Sequence, residues 1–200
     1  MPTSFRVLAF AGSTRQASFN KTLVRAVAET VKEAGAQITM ADLADYRLPV
    51  FDADDEAKSG KPAAALAFKR LMMDHDAFLI GSPEYNGSLT GVLKNTIDWV
   101  SRPDDDDEGQ LPAFRNKVVA LVSASPGALG GLRGLVHVRA ILAGLGCLVL
   151  PDQVAVPKAH EAFTQAGEAI AVKDEALGGR VAALGQRLVD VGTRLRPSEP

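Results

Sequence analysis

The sequence predicts an α/β protein, with a parallel sheet covered by helices on both faces. Two observations carry that prediction. Short apolar runs alternate with amphipathic stretches along the whole chain, and such alternation favours a parallel sheet between helical layers. The chain has 200 residues, without an internal repeat or a linker long enough to separate two units, which fits one domain of ordinary size.

The first apolar run, Phe5 to Ala11, reads FRVLAFA and is a buried-strand pattern. A helix is predicted over Phe19 to Ala34, with Leu23, Val24, Val27 and Val31 on one side and Gly35 ending it. Gln37 to Ala41 is the second strand. Tyr46 to Lys61 is polar and broken by Pro and Gly, hence a loop. Pro62 suits the first turn of a helix running to about Asp74. AFLIG, Ala77 to Gly81, is the third strand, and a helix follows over Gly91 to Val100. Arg102 to Asn116 is a loop whose acidic run, Asp104 to Glu108, reads as a solvated segment. Lys117 to Ser123 is the fourth strand, Gly131 to Leu145 the next helix, and the fifth strand lies within Cys147 to Val156, cut short or bulged at Pro151. The last helix places Leu177, Val181, Leu184, Leu188, Val191 and Leu195 at steps of three and four, and the tail from residue 196 reads as frayed.

Composition narrows the function classes. Hydrophobic residues make up 46% and charged ones 23%, the balance of a soluble globular chain. A chain of this length buries about 70% of its extended surface and needs no disulfide or metal staple. Lys plus Arg is 22 and Asp plus Glu is 24, a formal charge of −2, so no basic excess draws it to nucleic acid or an anionic membrane. The single cysteine, Cys147, builds neither an internal disulfide nor a thiolate metal site, and it reads as filling a strand position. His75, His137 and His160 lack metal-ligand spacing, and His137 reads as a packed or surface histidine. The N-terminal apolar run is too short for a signal peptide, and no stretch approaches the ~20 apolar residues of a membrane span. The expected location is the cytoplasm.

In open α/β sheets, ligands sit beyond the carboxyl ends of the strands at the switch point of strand order. The loops after strands one, three and four carry unusual composition. The first holds Gly12, Ser13, Thr14, Arg15, Ser18 and Asn20 at a strand-to-helix junction. A helix start offers unpaired N–H groups and a partial positive charge. Gly12 lets the backbone turn closely, and the hydroxyls, amide and arginine add donors suited to a phosphate monoester. The same residues also read as a tight turn with Ser18 as a plain helix cap. Neither a Walker lysine pattern nor a G-x-G-x-x-G fingerprint occurs. The loop after strand three runs Pro83-Glu84-Tyr85-Asn86-Gly87-Ser88. It offers shaped backbone, a flat tyrosine face and an amide to a planar heterocycle, and Asn86-Gly87 is equally a turn signal. Trp99 reads as core or subunit interface.

Three segments together resemble the NADPH-dependent FMN reductase family of flavodoxin-like quinone, chromate and azo-dye reductases. They are Gly12-Ser13-x-Arg15-x-x-Ser18-x-Asn20, then Pro83-Glu84-Tyr85-Asn86-Gly87-Ser88, and then Leu93-Lys94-Asn95-x-Ile97-Asp98-Trp99. Ser123-Ala124-Ser125-Pro126-Gly127-Ala128-Leu129-Gly130-Gly131 and the helix after it are similar too, so the likeness covers about residues 5 to 160. The resemblance implies a flavodoxin-like three-layer domain over residues 1–200, with five parallel strands in the order 2-1-3-4-5. It also implies FMN as cofactor and NADPH or NADH as co-substrate. Ser13, Arg15, Ser18 and Asn20 fall on positions that hold the FMN phosphate. Pro83, Glu84, Tyr85, Asn86 and Gly87 fall on those that wrap the isoalloxazine and ribityl chain. Ser123, Ser125, Pro126, Gly127 and Gly130 fall on positions that in the family lie near the flavin edge. Family members are usually dimers or tetramers. Thr90 departs from the family, where many relatives carry proline, and is expected to alter loop stiffness more than chemistry. Arg133 and Arg139 read as ordinary surface ion-pairing residues, with a neighbouring subunit or the NADPH phosphate as the alternative partner.

The expected activity is hydride transfer from NAD(P)H through the flavin to a small-molecule acceptor, a quinone or a related compound. The flavin carries the chemistry, so no catalytic acid or base is assigned. An electron-carrier flavodoxin is the main alternative, and such carriers are usually strongly acidic, unlike this chain. A flavin-binding sensor without turnover and a reductase that releases reduced FMN have the same binding loops.

Overall fold

A computed structural model describes residues 4–104, 109–166 and 169–196. The chain runs β1 (Arg6–Ala11), α1 (Phe19–Glu33), β2 (Gln37–Asp42), α2 (Ala53–Ser59), α3 (Ala63–Met73) and β3 (Ala77–Gly81). It continues through β4 (Glu84–Tyr85), β5 (Ser88–Leu89), α4 (Gly91–Val100), β6 (Val118–Ala124), α5 (Leu132–Gly144) and β7 (Leu148–Val156). It closes with α6 (Ala159–Ala162), β8 (Phe163–Ala166), β9 (Ala169–Val172) and α7 (Glu175–Leu195).

The main sheet is parallel, in the order β2-β1-β3-β6-β7. Counted over these strands alone, that is the expected 2-1-3-4-5. Successive residues of each inner strand face opposite sides of the sheet. Val7, Ala9, Leu79, Ala120 and Val122 pack with α1 and α7 residues such as Leu23, Val27, Leu184 and Leu188. Leu8, Phe10, Phe78, Ile80 and Leu121 pack with Phe68, Leu93, Ile97, Leu135 and Val138 from α3, α4 and α5. Burial on both faces explains why β3 and β6 read as unbroken apolar runs. Edge strand β2 has no fully buried position.

Close glycine contacts set α7 against the rest. A Cβ on Gly192 would stand 2.1 Å from Phe5 Cζ, and one on Gly185 2.0 Å from Thr30 Oγ1. Leu195, expected on the packed stripe, is 54% exposed.

Several expectations are corrected. The segment read as loop over residues 46–61 contains α2, which buries no residue and starts from Asp52, whose carboxylate accepts the Asp54 N–H at 2.8 Å. Hairpin β8–β9 and the short β4–β5 hairpin are also additions. Asp104 is not solvated. Lys61 and Lys69 hold its carboxylate at 2.5 and 2.6 Å. Burial alone pushes that carboxyl up, but the two lysine hydrogen bonds outweigh it and leave the group below the usual carboxylate range. Asp105 to Glu108 lie outside the described residues.

Strand β7 is bulged at Pro151 as expected: the ladder passes from Val119↔Val149 to Leu121↔Gln153. The bulge frees carbonyls, and Arg139 takes them. Its guanidinium donates to Leu150 O at 2.6 Å and Val149 O at 3.3 Å, and to Gln153 Oε1 at 3.0 Å. Arg139 is therefore a carbonyl clamp on an edge strand rather than an ion-pairing residue. Cys147, just before β7, is buried, and its thiol donates to Phe114 O at 3.2 Å. Burial pushes that thiol up to about 12, beyond any useful thiolate population.

Candidate functional site

The chain moves from β1 out to β2, then crosses back to β3 on the other side of β1. The switch point thus lies between β1 and β3, and the loops after β1, β3 and β6 adjoin there. The Gly12 N–H donates to Gly81 O and the Ser82 N–H to Val122 O, each at 2.8 Å. These bonds carry the sheet ladder one residue into each loop.

The polar side chains of the three loops form two groups. Asn20, Thr90 and Ser123 are buried and bind the protein itself. Asn20 donates its amide to Ala124 O at 2.8 Å and accepts the Ala124 N–H at 3.0 Å, tying the start of α1 to the end of β6. Thr90 donates its hydroxyl to Gly12 O at 2.7 Å and accepts the Leu93 N–H at 3.2 Å, so it caps α4 and anchors the first loop together. Ser123 donates to Gly130 O at 2.6 Å. Gly130 and Gly131 have φ of +62° and +88°, and a Cβ on Gly131 would stand 2.9 Å from the Ser123 side chain. The third loop therefore turns into α5 through glycine alone.

Glu84 closes the second loop onto α5. Its carboxylate accepts the Arg133 and Gly134 N–H groups at 3.0 and 3.3 Å, and the Arg133 guanidinium, through Nε at 2.8 Å and through Nη2. The arginine hydrogen bond holds this carboxyl below the usual range, against its burial. Arg133 is thus an ion-pairing residue, as expected, but one that braces two site loops. Between Tyr85 and Ser88, Asn86 and Gly87 form a two-residue hairpin turn with φ of +51° and +80°, the type I′ geometry that the Asn-Gly pair favours. Ser88 Oγ and His137 Nδ1 lie 2.8 Å apart on the outer side of that hairpin.

The second group faces outward. Thr14 and Arg15 are exposed, and among the described residues the Arg15 guanidinium has neither an ion pair nor a hydrogen bond. Ser13 and Ser18 flank them but are buried, at 6% and 4% exposure, and Ser13 Oγ accepts the Arg15 N–H at 3.3 Å. Ser18 stands at the N-cap position of α1, yet its side chain makes no capping bond. The first N–H groups of α1 are left for another acceptor. An uncapped helix start with two hydroxyls and an unpaired, permanent cation is a donor set that fits a phosphate monoester. Tyr85 is 55% exposed, and Pro126 and Gly127 are exposed at the third loop. Pro83 is buried at the base of the second loop. Trp99 is core, its Nε1 donating to Pro49 O at 2.9 Å.

Gly12, Ser13, Thr14, Arg15 and Ser18, singled out together by the sequence, lie in the one loop between β1 and α1. The ties that Thr90, Glu84 and Arg133 make between the loops are additions. A threonine immediately before an amphipathic stretch is a helix-cap signal, so Thr90 was legible. The Glu84–Arg133 contact spans 49 positions and has no local signature.

A doubly wound α/β sheet with a phosphate-type loop at its switch point defines a nucleotide- or flavin-binding class of protein. Comparison with known proteins resolves the class. The profile described as NADPH-dependent FMN reductase matches residues 5–161, and the chain belongs to that family. It is 37% identical over 162 residues to a probable NADPH:quinone oxidoreductase of rice (Oryza sativa subsp. japonica), covering 80% of this chain and 75% of the relative. It is 34% identical over 168 residues to an NAD(P)H-dependent FMN reductase of Pseudomonas aeruginosa, covering 84% and 85%. Among solved structures it is similar to the flavoenzyme NAD(P)H:(acceptor) oxidoreductase FerB of Paracoccus denitrificans, with a TM-score of 0.79 and 26% identity over 95% of this chain and 98% of that one. The chain is therefore a flavodoxin-like oxidoreductase of a family that uses FMN and NAD(P)H. Among the described residues, no helix is long and apolar enough to cross a membrane.

Proposed function

We propose that this protein reduces quinones or related acceptors (chromate, azo compounds or free flavin) with NAD(P)H, in a ping-pong sequence on one FMN. The observation that carries the reading is the unpaired Arg15 beside Ser13, Thr14 and the uncapped start of α1. When bound, FMN supplies the hydride acceptor and donor of the reaction. Arg15, Ser13, Thr14 and Ser18 hold its phosphate. Backbone at Glu84 to Gly87 and Ser125 to Gly127 borders the ring, and the exposed Tyr85 supplies a flat face. Asn20, Ser123 and Gly130 keep the three loops in register and touch the ligand less than the exposed residues do. Nicotinamide and acceptor use the same open side in turn, which makes the sequence ping-pong. No essential acid or base is assigned.

Residues 1–200 act as one FMN-binding unit in this reading, located in the cytoplasm and assembled as a homodimer or homotetramer. Leu129, Leu132 and Val136 are 52%, 41% and 59% exposed, at steps of three and four along the third loop and α5. An apolar row of this kind beside the site suits a surface that a second subunit covers.

The test is an anaerobic titration of the FMN-loaded protein, first with NADPH and then with a quinone. Flavin bands that bleach with NADPH and return with quinone are expected. Bound flavin that neither NADPH nor NADH bleaches would replace this reading with a carrier or sensor.

A further inference from the structure

A cavity of about 410 Å³ opens at the carboxyl end of β7. One of its lining residues is bonded to the third site loop: the Lys158 N–H donates to Gly127 O at 3.4 Å, and the N–H of the next residue, Ala159, to Ser125 O at 3.1 Å. The far wall is the start of α7 and the residues just before it.

Three cations line this cavity: Lys158, Lys173 and Arg180. None of the three side chains has a hydrogen bond or ion pair among the described residues. Two carboxylates share the lining, so three positive and two negative groups border the cavity. Asp174 caps α7 by accepting the Leu177 N–H at 2.7 Å, and Glu161 lies 3.2 Å from His160 Nε2. Val156, Ala162 and Leu177 supply an apolar floor. Lys158 has φ of +47°, a left-handed conformation that a lysine adopts only where its surroundings impose it. Here those surroundings are the third site loop and α6.

An apolar floor of this size suits a heterocycle. Three unpaired cations suit a phosphate monoester, whose charge is about −1.5 to −2 at neutral pH. Arg180 offers the planar fork that matches phosphate oxygens. We infer that this cavity takes the adenosine 2′-phosphate end of NADPH, and that Arg180, Lys158 and Lys173 set the preference for NADPH over NADH. The inference rests on the oxidoreductase reading above and adds the group that recognises the reductant.

Two variants test it. Arg180→Gln removes the fork. Lys158→Asn removes a charge while keeping a residue that tolerates the left-handed backbone. KM and kcat for NADPH and for NADH are measured separately at saturating quinone. Adenosine 2′,5′-bisphosphate and adenosine 5′-monophosphate are titrated calorimetrically into the FMN-loaded protein. Each variant is expected to raise the NADPH KM about ten- to a hundredfold, the worth of a hydrogen bond to a charged group. The NADH KM should move far less, and bisphosphate affinity should fall by the same factor as NADPH while monophosphate affinity holds. FMN content and the bound-flavin spectrum report that the variants are folded. Equal losses for NADPH and NADH, or unchanged bisphosphate affinity, would overturn the inference. If neither nicotinamide bleaches the flavin, the oxidoreductase reading fails by itself, and the bisphosphate titration still decides whether the cavity reads a 2′-phosphate.

Discussion

Replacing Asn20 by alanine separates two roles that its position in the sequence allows. Its side chain is 3% exposed, and both of its polar ends are bonded to the backbone of Ala124. Asn20→Ala leaves the Ala124 N–H and C=O without partners at the buried end of β6. Each unsatisfied buried group costs about 1–3 kcal/mol, so the pair costs about 2–6 kcal/mol. Total stabilities lie at about 5–15 kcal/mol, so this is a large share. Urea titration of the apoprotein should show a lower midpoint at an unchanged slope, and FMN affinity should fall with it as the first and third loops lose their register. Asn20→Asp keeps the acceptor for the Ala124 N–H but turns a carboxylate oxygen towards the Ala124 carbonyl, and should cost at least as much. The reasoning is refuted if Asn20→Ala changes apoprotein stability by less than about 0.5 kcal/mol, the level of a neutral surface change, while FMN binding weakens tenfold or more. Asn20 would then be a ligand contact.

Arg15→Ala should do the reverse: FMN affinity falls about ten- to a hundredfold, about 1.5–3 kcal/mol, with the apoprotein urea midpoint unmoved, as a fluorescence titration beside a urea titration will show. Glu84→Gln should flatten the acid limb of stability. Because Arg133 holds the Glu84 carboxyl below its ordinary value of 4.5, the ionised form stabilises the fold above that value, and the advantage is lost as pH falls through the lowered one. Urea midpoints of both proteins between pH 7 and pH 3 should converge at the acid end; a constant gap would count against the pairing. Gly192→Ala places a methyl 2.1 Å from Phe5 Cζ, and overpacking of this kind should cost about 1–3 kcal/mol, read as a lower urea midpoint with FMN affinity of the loaded protein retained.

What was legible in the sequence follows from how far each feature depends on neighbours in the chain. The inner strands are buried from both sides, so AFLIG and VVALVSA carry their own signal. Helices α1 and α7 show their stripes because one face of each meets the sheet. The Asn86-Gly87 turn and the Pro151 bulge follow from local backbone preference. Helix α2 has no apolar face to reveal it, only the Asp52 cap and an acidic first turn. Asp104 looked like one of a run of like charges, because the lysines that hold it come from positions 61 and 69. Arg139 looked like a surface charge, because nothing in sequence says which carbonyls a bulge will free.

The site itself shows the same division between local and distant information. Its exposed donors, Thr14 and Arg15, sit side by side with Ser13 and Ser18 around them, and residue type alone announces their chemistry. The two side-chain bonds that anchor this stretch, Thr90 to Gly12 and Asn20 to Ala124, join positions 78 and 104 apart. Such bonds fix where the donors stand. Thr90 tests this division sharply, because it makes both of its bonds to backbone and is 2% exposed. Thr90→Val keeps the shape but leaves the Gly12 carbonyl and the Leu93 N–H unpartnered. It should cost about 2–6 kcal/mol in the apoprotein and weaken FMN through displacement of the first loop. Thr90→Ser restores both bonds and should recover both losses. Recovery of stability without recovery of FMN affinity would mean that the threonine methyl, packed at the start of α4, positions the loop instead of the hydroxyl.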